Sequence, residues 1–76
     1  KTYTIIKYRN NRQNEITGTL EELKKHFAYH IECGCSWNSK INNNPKTIKS
    51  FVKTINECAQ ELQRGNFNQD YYELKQ

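Results

Sequence analysis

Four residues close together in this chain could hold a metal ion. They are His26, His30, Cys33 and Cys35, spaced His-x3-His-x2-Cys-x-Cys. On a helix, positions 26, 30 and 33 fall about one turn apart on the same side, so a tetrahedral zinc site is sterically conceivable. Two features oppose it. Structural zinc sites draw their ligands from two chain segments, with two to four residues inside each cysteine pair. A Cys-x-Cys pair at a helix end chelates one ion poorly. The competing reading packs Cys33 as a small hydrophobe and leaves the histidines facing water. Nucleophilic chemistry has less behind it. Cys35 follows Gly34 near the expected C-terminal end of a helix, where the negative partial charge raises a thiol's pKa. His30 lies near but has no evident carboxylate to orient it, and no paired carboxylates or phosphate-cradling glycine loop occur elsewhere. The expectation is a non-enzymatic protein with no cofactor.

The other chemistry on offer is recognition. Lys46, Lys49 and Lys53 form one stripe at i, i+3 and i+7, and Lys40 precedes them. Lys24 and Lys25 could extend the patch. Cations at a helix N-terminus oppose the macrodipole, so the arrangement costs some stability, and contact with phosphates or a carboxylate-bearing surface would account for it. The plainer reading is a solvated face with Lys53 paired to Glu57 one turn on. Trp37, flanked by Ser36 and Asn38, is the one tryptophan. A lone tryptophan between helices more often plugs the core than meets a partner; exposed, it becomes the natural interface anchor. Asn42, Asn43 and Asn44 add uncharged, adaptable hydrogen bonding. The expected contact surface is therefore Trp37, Asn38, Lys40, Asn43, Lys46, Lys49 and Lys53.

Positioning these residues requires a few elements. Thr2 to Arg9, alternating around Tyr3, Ile5, Ile6 and Tyr8 and rich in β-branched and aromatic residues, predicts a strand. A polar turn over Asn10 to Asn14 leads to a short return strand at Glu15 to Thr17, ended by Gly18. Thr19 and Glu22 form a capping box. Leu20, Leu23, Phe27 and Ile31 then recur at helical spacing to about Glu32 or Cys33, with Gly34 as the C-terminal stop. Cys35 to Asn44 is expected as a loop, with Asn44 as N-cap and Pro45 as the first position of a second helix. Ile48, Phe51, Val52, Ile55, Ala59 and Leu62 give that helix the strongest periodicity in the chain, and Gly65 should close it. Phe67 to Leu74 predicts a third strand against the hairpin. The order is ββααβ, a single α+β domain over residues 1–76.

The chain has 76 residues, a net charge of +4 and 34% hydrophobic residues. A domain this small buries only about 60% of the surface its unfolded chain exposes. Its stability must rest on a few large side chains, and nine residues are aromatic. A homodimer or a bound partner would suit so thin a core. The mild basicity fits nucleic acid or an acidic protein surface. Three cysteines, no signal-like segment and no long apolar run point to a reduced, cytoplasmic protein away from membranes. Nine of the twelve cations are lysine and ten residues are asparagine, a bias that AT-rich coding produces.

Several blocks carry a resemblance: residues 18–23 (Gly-Thr-Leu-Glu-Glu-Leu), Phe27, residues 31–34 (Ile-Glu-Cys-Gly), 36–38 (Ser-Trp-Asn), 40–42 (Lys-Ile-Asn), 44–50 (Asn-Pro-Lys-Thr-Ile-Lys-Ser) and 70–74 (Asp-Tyr-Tyr-Glu-Leu). Across nearly its whole length the chain resembles small, mostly uncharacterised accessory proteins of phages and mobile elements from AT-rich bacteria. That resemblance implies a protein that antagonises host machinery, with anti-CRISPR inhibitors of Cas nucleases as one such class. It assigns no residue a role. The leading expectation is a protein that docks on a host protein or ribonucleoprotein complex. The alternative is a small basic nucleic-acid-binding regulator using the Lys46, Lys49 and Lys53 stripe, and a third is a small zinc-binding domain.

Overall fold

Alternating aromatic and β-branched residues form the first strand, β1 (Tyr3–Arg9), in a computed structural model that describes residues 1–63 and 70–75. β1 turns through Asn10 and Asn11 into β2 (Arg12–Gly18). The register runs from Tyr3 opposite Gly18 to Arg9 opposite Arg12. The turn is thus shorter than the sequence suggests, and the return strand begins at Arg12 rather than Glu15. Asn10 makes this possible by taking φ 56°, a left-handed conformation that asparagine tolerates. Arg12, Gln13 and Asn14 are exposed on an edge strand, where polar side chains do not oppose strand pairing.

The capping box forms as expected. The Glu22 N–H donates to Thr19 Oγ1 at 3.1 Å, and the Thr19 N–H donates to Glu22 Oε1 at 2.8 Å. The helix it starts is not continuous. α1 (Leu20–His26) ends at Phe27, whose φ of −100° and ψ of 10° break the helical geometry, and α2 (Ala28–Trp37) follows. Phe27 is buried, with its ring edge-on to Phe51 and Tyr72 at centroid distances of 5.7 and 5.4 Å. Backbone bonds cross the break, from Phe27 N–H to Leu23 and from Ile31 N–H to Phe27, so the chain bends there without being released.

α2 also runs past Gly34. That glycine is not a stop; it is buried inside the helix, and its backbone lies against α3 (Ile48–Leu62). A Cβ at position 34 would come within 2.5 Å of Cys58 Cβ and Sγ. Glycine is needed here for close helix approach, not for a left-handed cap. α3 starts three residues later than Asn44-Pro45 predicts. Its cap is Thr47, with Ser50 returning the hydrogen bond, while Pro45 is fully buried in the loop. The same loop buries Ile41 and is pinned by Thr54 Oγ1 donating to the Asn42 carbonyl at 3.0 Å. Gly65 and Phe67 to Gln69 lie outside the described residues.

β3 (Tyr71–Lys75) pairs antiparallel with the other side of β1, giving the order β2-β1-β3. Asn56 of α3 covers the outer edge of β3: its Nδ2 donates to the Tyr72 carbonyl at 2.9 Å, and the Tyr72 N–H donates to its Oδ1 at 2.8 Å. Asp70, buried just before β3, accepts from Arg9 Nε at 2.8 Å and from Gln63 Nε2 at 3.2 Å. The helices lie on the sheet face that carries Ile5, and the core joins Ile5, Leu23, Phe27, Phe51, Ile55 and Tyr72. The α+β class is as expected. The element order ββαααβ differs from ββααβ because of the break at Phe27.

Candidate docking surface

Contacts between α2 and α3 climb both helices together. His30 Nε2 lies 3.0 Å from the Ile55 carbonyl, Gly34 meets Cys58, and Asn38 Nδ2 donates to Glu61 Oε2 at 3.1 Å. The two helices therefore run parallel, and the connection between them returns along their length. This orientation decides where each candidate residue sits.

Trp37 is the last residue of α2 and is 76% exposed. It does not plug the core; Ile41 and Pro45 fill the loop side instead. Eight positions earlier on the same helix, Tyr29 is 80% exposed. Tyr29, Cys33 and Trp37 are i, i+4 and i+8, a single stripe turned away from buried Ile31 and Gly34. The Tyr29 hydroxyl hydrogen-bonds with Cys33, which raises its pKa above the ordinary 10.0. Asn38, half-buried, is committed internally: beyond its bond to Glu61, its Oδ1 accepts from the Lys40 N–H at 3.1 Å. Lys40 is exposed. Asn43 is exposed on the wall of a groove of about 370 Å³ between α2 and the loop.

The lysines stand elsewhere. Lys46 is exposed just before the Thr47 cap, and Lys49 and Lys53 are exposed on α3, away from Phe51, Ile55 and Cys58. The expected Lys53–Glu57 ion pair is not formed, and among the described residues Lys46, Lys49 and Lys53 make no ion pair. Asn38 sits beside Glu61, twelve positions beyond Lys49, which at 1.5 Å per residue separates Trp37 from Lys49 by roughly 18 Å along the axis. The residues expected to share one surface thus form two patches. One is aromatic, the α2 stripe from Tyr29 to Trp37, with partly exposed Leu62 at the matching C-terminal end of α3. The other is basic, at the start of α3, where Lys1 and Lys75 line a cleft with Ile48.

The four candidate metal ligands do not converge. His30 is held by α3 and packs edge-on to Phe27 and Tyr72, while the Cys35 thiol faces the Ile41 carbonyl at 3.8 Å. Cys33 is on the outward stripe with Tyr29. Among the described residues no three His, Cys, Asp or Glu side chains gather as a metal site. The zinc grouping does not assemble among the described residues because His26 closes α1, before the break at Phe27, and His30, Cys33 and Cys35 leave α2 in different directions.

Tyr29 is the residue that sequence reading passed over. Its signal was the rotation of about 100° per residue, which puts it opposite the Phe27 and Ile31 stripe. Taking Gly34 as a stop hid its alignment with Trp37. The sheet face away from the helices carries Thr4, Ile6 and Tyr8 with Thr17, Glu15, Glu73 and Tyr71, and among the described residues no element covers it. Tyr8 and Tyr71 meet there at 6.1 Å between ring centroids, and a hydrogen bond with Glu73 raises the Tyr8 pKa. Lys75 pairs with Glu15 across the same face at 2.8 Å.

Comparison with protein families, with curated proteins and with solved structures finds no match. Among the described residues no helix is long and apolar enough to cross a membrane.

Proposed function

We propose that the protein is a non-enzymatic binding module that docks on a host protein or ribonucleoprotein complex through the outward stripe of α2. One observation carries this reading. Two large aromatic side chains, Tyr29 and Trp37, are about four-fifths exposed on one face of a helix whose other face is locked into the core. Tryptophan and tyrosine anchors dominate binding energy at interfaces because they bury much area at little conformational cost. The resemblance to phage and mobile-element accessory proteins gives the target class we favour, a Cas nuclease in its guide-bound form.

The test uses two stages. Tyr29→Ala with Trp37→Ala replaces two exposed side chains and should leave the far-ultraviolet spectrum and Tm unchanged. In guide-directed DNA cleavage assays against a panel of Cas nucleases, the parent protein should inhibit at least one enzyme. The double variant should need at least about 30-fold more protein for the same effect, as expected for anchors worth 2 kcal/mol or more. Equal potency of parent and variant removes the aromatic stripe from the reading. No inhibition of any panel member removes the Cas target, and co-purification from host lysate with and without the double substitution then tests docking on other complexes.

A second reading rests on Lys49 and Lys53, which project from the solvent side of α3 with no ion-pair partner among the described residues. In that reading Lys46, Lys49 and Lys53 neutralise phosphates of a nucleic acid. Binding would then fall steeply with salt, in proportion to the phosphates contacted. Lys49→Glu with Lys53→Glu would abolish it, and an absence of mobility shift at low salt excludes it.

A further inference from the structure

The two edges of the sheet differ. The outer edge of β3 is closed by the Asn56 amide, which meets the Tyr72 N–H and carbonyl at 2.8 and 2.9 Å. In a two-residue hairpin the residues flanking the loop, here Arg9 and Arg12, exchange both backbone hydrogen bonds. Alternation then turns Arg12, Asn14, Ile16 and Gly18 toward β1, and the N–H and carbonyl groups of Gln13, Glu15 and Thr17 point outward. The same alternation carried across β1 turns Tyr72 outward from β3, which is where Asn56 binds. Among the described residues nothing bonds to the backbone of Gln13, Glu15 or Thr17, and all three are exposed. The ladder between β1 and β2 is unbroken, with no bulge or proline to blunt this edge.

Charge at the two ends of β2 says what fits the edge. Arg12 stands on the helix-bearing face directly opposite Arg9, a like-charged cross-strand pair that costs stability. Arg9 has Asp70 at 2.8 Å, whereas Arg12 is exposed and makes no ion pair among the described residues. At the other end, Gly18 lies on the same face against Glu22, and a Cβ there would be 3.3 Å from Glu22 Oε1. That oxygen accepts from the Thr19 N–H, leaving Oε2 for another donor. β2 therefore carries a cation without an ion-pair partner at its first residue and a carboxylate beside its last. An identical strand laid antiparallel brings each cation to the other copy's carboxylate.

We propose that the protein self-associates as a two-fold dimer through its β2 edges, joining two three-stranded sheets edge to edge. The axis passes beside Glu15. In that register Gln13 of each copy pairs with Thr17 of the other and Glu15 pairs with Glu15, so every outward backbone group of β2 is used. Arg12 falls opposite Gly18 of the second copy and beside its Glu22, twice by symmetry. A slip of two residues either way loses a hydrogen-bonded pair and moves Arg12 off Glu22. The Glu15 carboxylates approach one another at the axis, and each keeps Lys75 at 2.8 Å as its counter-charge. One strand pair buries less than a standard interface, so association is reversible and depends on concentration. The dimer does not rest on the docking role of α2.

Hydrogen exchange on the wild-type protein tests this without a variant. At about 10 μM the amides of Gln13, Glu15 and Thr17 should exchange fast while those of Asn14 and Ile16 are protected; toward about 1 mM the first three should slow by about tenfold or more. Sedimentation over the same range should show the mean mass rising from monomer toward dimer. Arg12→Glu should raise the dimer dissociation constant by about tenfold or more. Gln13→Pro, which removes an outward donor and none directed to β1, should do the same. Tyr29→Ala with Trp37→Ala should leave the constant unchanged. A protein that stays monomeric to about 1 mM overturns the proposal. So does a dimer that is indifferent to Arg12→Glu, one that is lost with the Tyr29 and Trp37 substitutions, or one whose formation leaves exchange at Gln13, Glu15 and Thr17 unaltered.

Discussion

Gly34 has a role that its residue type alone misrepresents. Glycine after a helical run reads as a C-terminal stop, yet here it is the contact point of two parallel helices. Gly34→Ala would put a methyl carbon within 2.5 Å of Cys58 Cβ and Sγ, with the Cys58 backbone behind them. Overpacking of this kind costs about 1–3 kcal/mol, read as a fall in the urea midpoint at unchanged slope. Cys58→Ala should recover only part of the loss, because the Cβ contact remains. Tyr72 gives the matching prediction in pH. Its phenol is buried beside Asp70, and burial first, then that charge, raise its pKa from 10.0 to about 12. The folded pKa exceeds the unfolded one, so this contribution to stability is complete below pH 10.0 and is lost as pH rises through about 12. Cys58, raised from 9.0 to about 12, acts in the same direction from a lower onset. Denaturation midpoints should therefore fall steadily above pH 9.0, and Tyr72→Phe should flatten the upper part of that decline.

At the scale of elements, the starts of α1 and α3 are decided by side chains that reach back to the backbone, while α2 follows the break at Phe27 with no side-chain cap. α1 begins where the sequence says, because Thr19 and Glu22 satisfy each other's free donors, and the same bonds hold the Glu22 carboxyl below its ordinary pKa of 4.5. α3 begins at Thr47 rather than Asn44, since Pro45 is claimed by the core and Thr47 and Ser50 form the working box. Thr47→Ala should accordingly cost about 1 kcal/mol, and Asn44→Ala, whose exposed side chain caps nothing, close to none. The charges of α3 run against its dipole at both ends, with Lys49 in the first turn and Glu61 in the last. Lys49→Glu should raise Tm, by an amount equivalent to about 0.3–1 kcal/mol. If it also weakens partner or nucleic-acid binding, the cost of the native lysine is explained by function. Equal binding would make the lysine a solvated residue and nothing more.

Across the whole molecule, a three-stranded sheet is covered on one face by α1 to α3 and open on the other. α3 is joined to the edge strand by the two Asn56–Tyr72 hydrogen bonds, so the outer edge of β3 at this point meets a side-chain amide in place of another strand. Asn56→Ala would leave both Tyr72 backbone groups unpaired in a half-buried position. The expected cost is about 1–3 kcal/mol in a denaturation titration, with hydrogen exchange at Tyr72 raised more than at Ile5. Parallel packing of α2 and α3 sets the second global feature, the distance between Trp37 and the lysines. A partner must either be wide enough to span both patches or use one of them, and separate substitution of each patch distinguishes the two.

The amino-acid sequence by itself determined that a hairpin, then helices, then a C-terminal strand would form, where α1 begins, and that Phe51 and Ile55 are core. These follow from short-range physics: alternation, helical spacing and a cap three residues away. It also marked Trp37, Lys46, Lys49 and Lys53 as candidates for contact. Only the tertiary structure decided that Gly34 is a crossing point, that Phe27 breaks a helix, that the His26, His30, Cys33 and Cys35 group does not assemble, and that Trp37 aligns with Tyr29 instead of the lysines. Each of these depends on how α2 is turned and which way it runs beside α3. That orientation is fixed by contacts between residues more than twenty positions apart, such as Ile31 with Cys58 and His30 with Ile55, which no local pattern encodes.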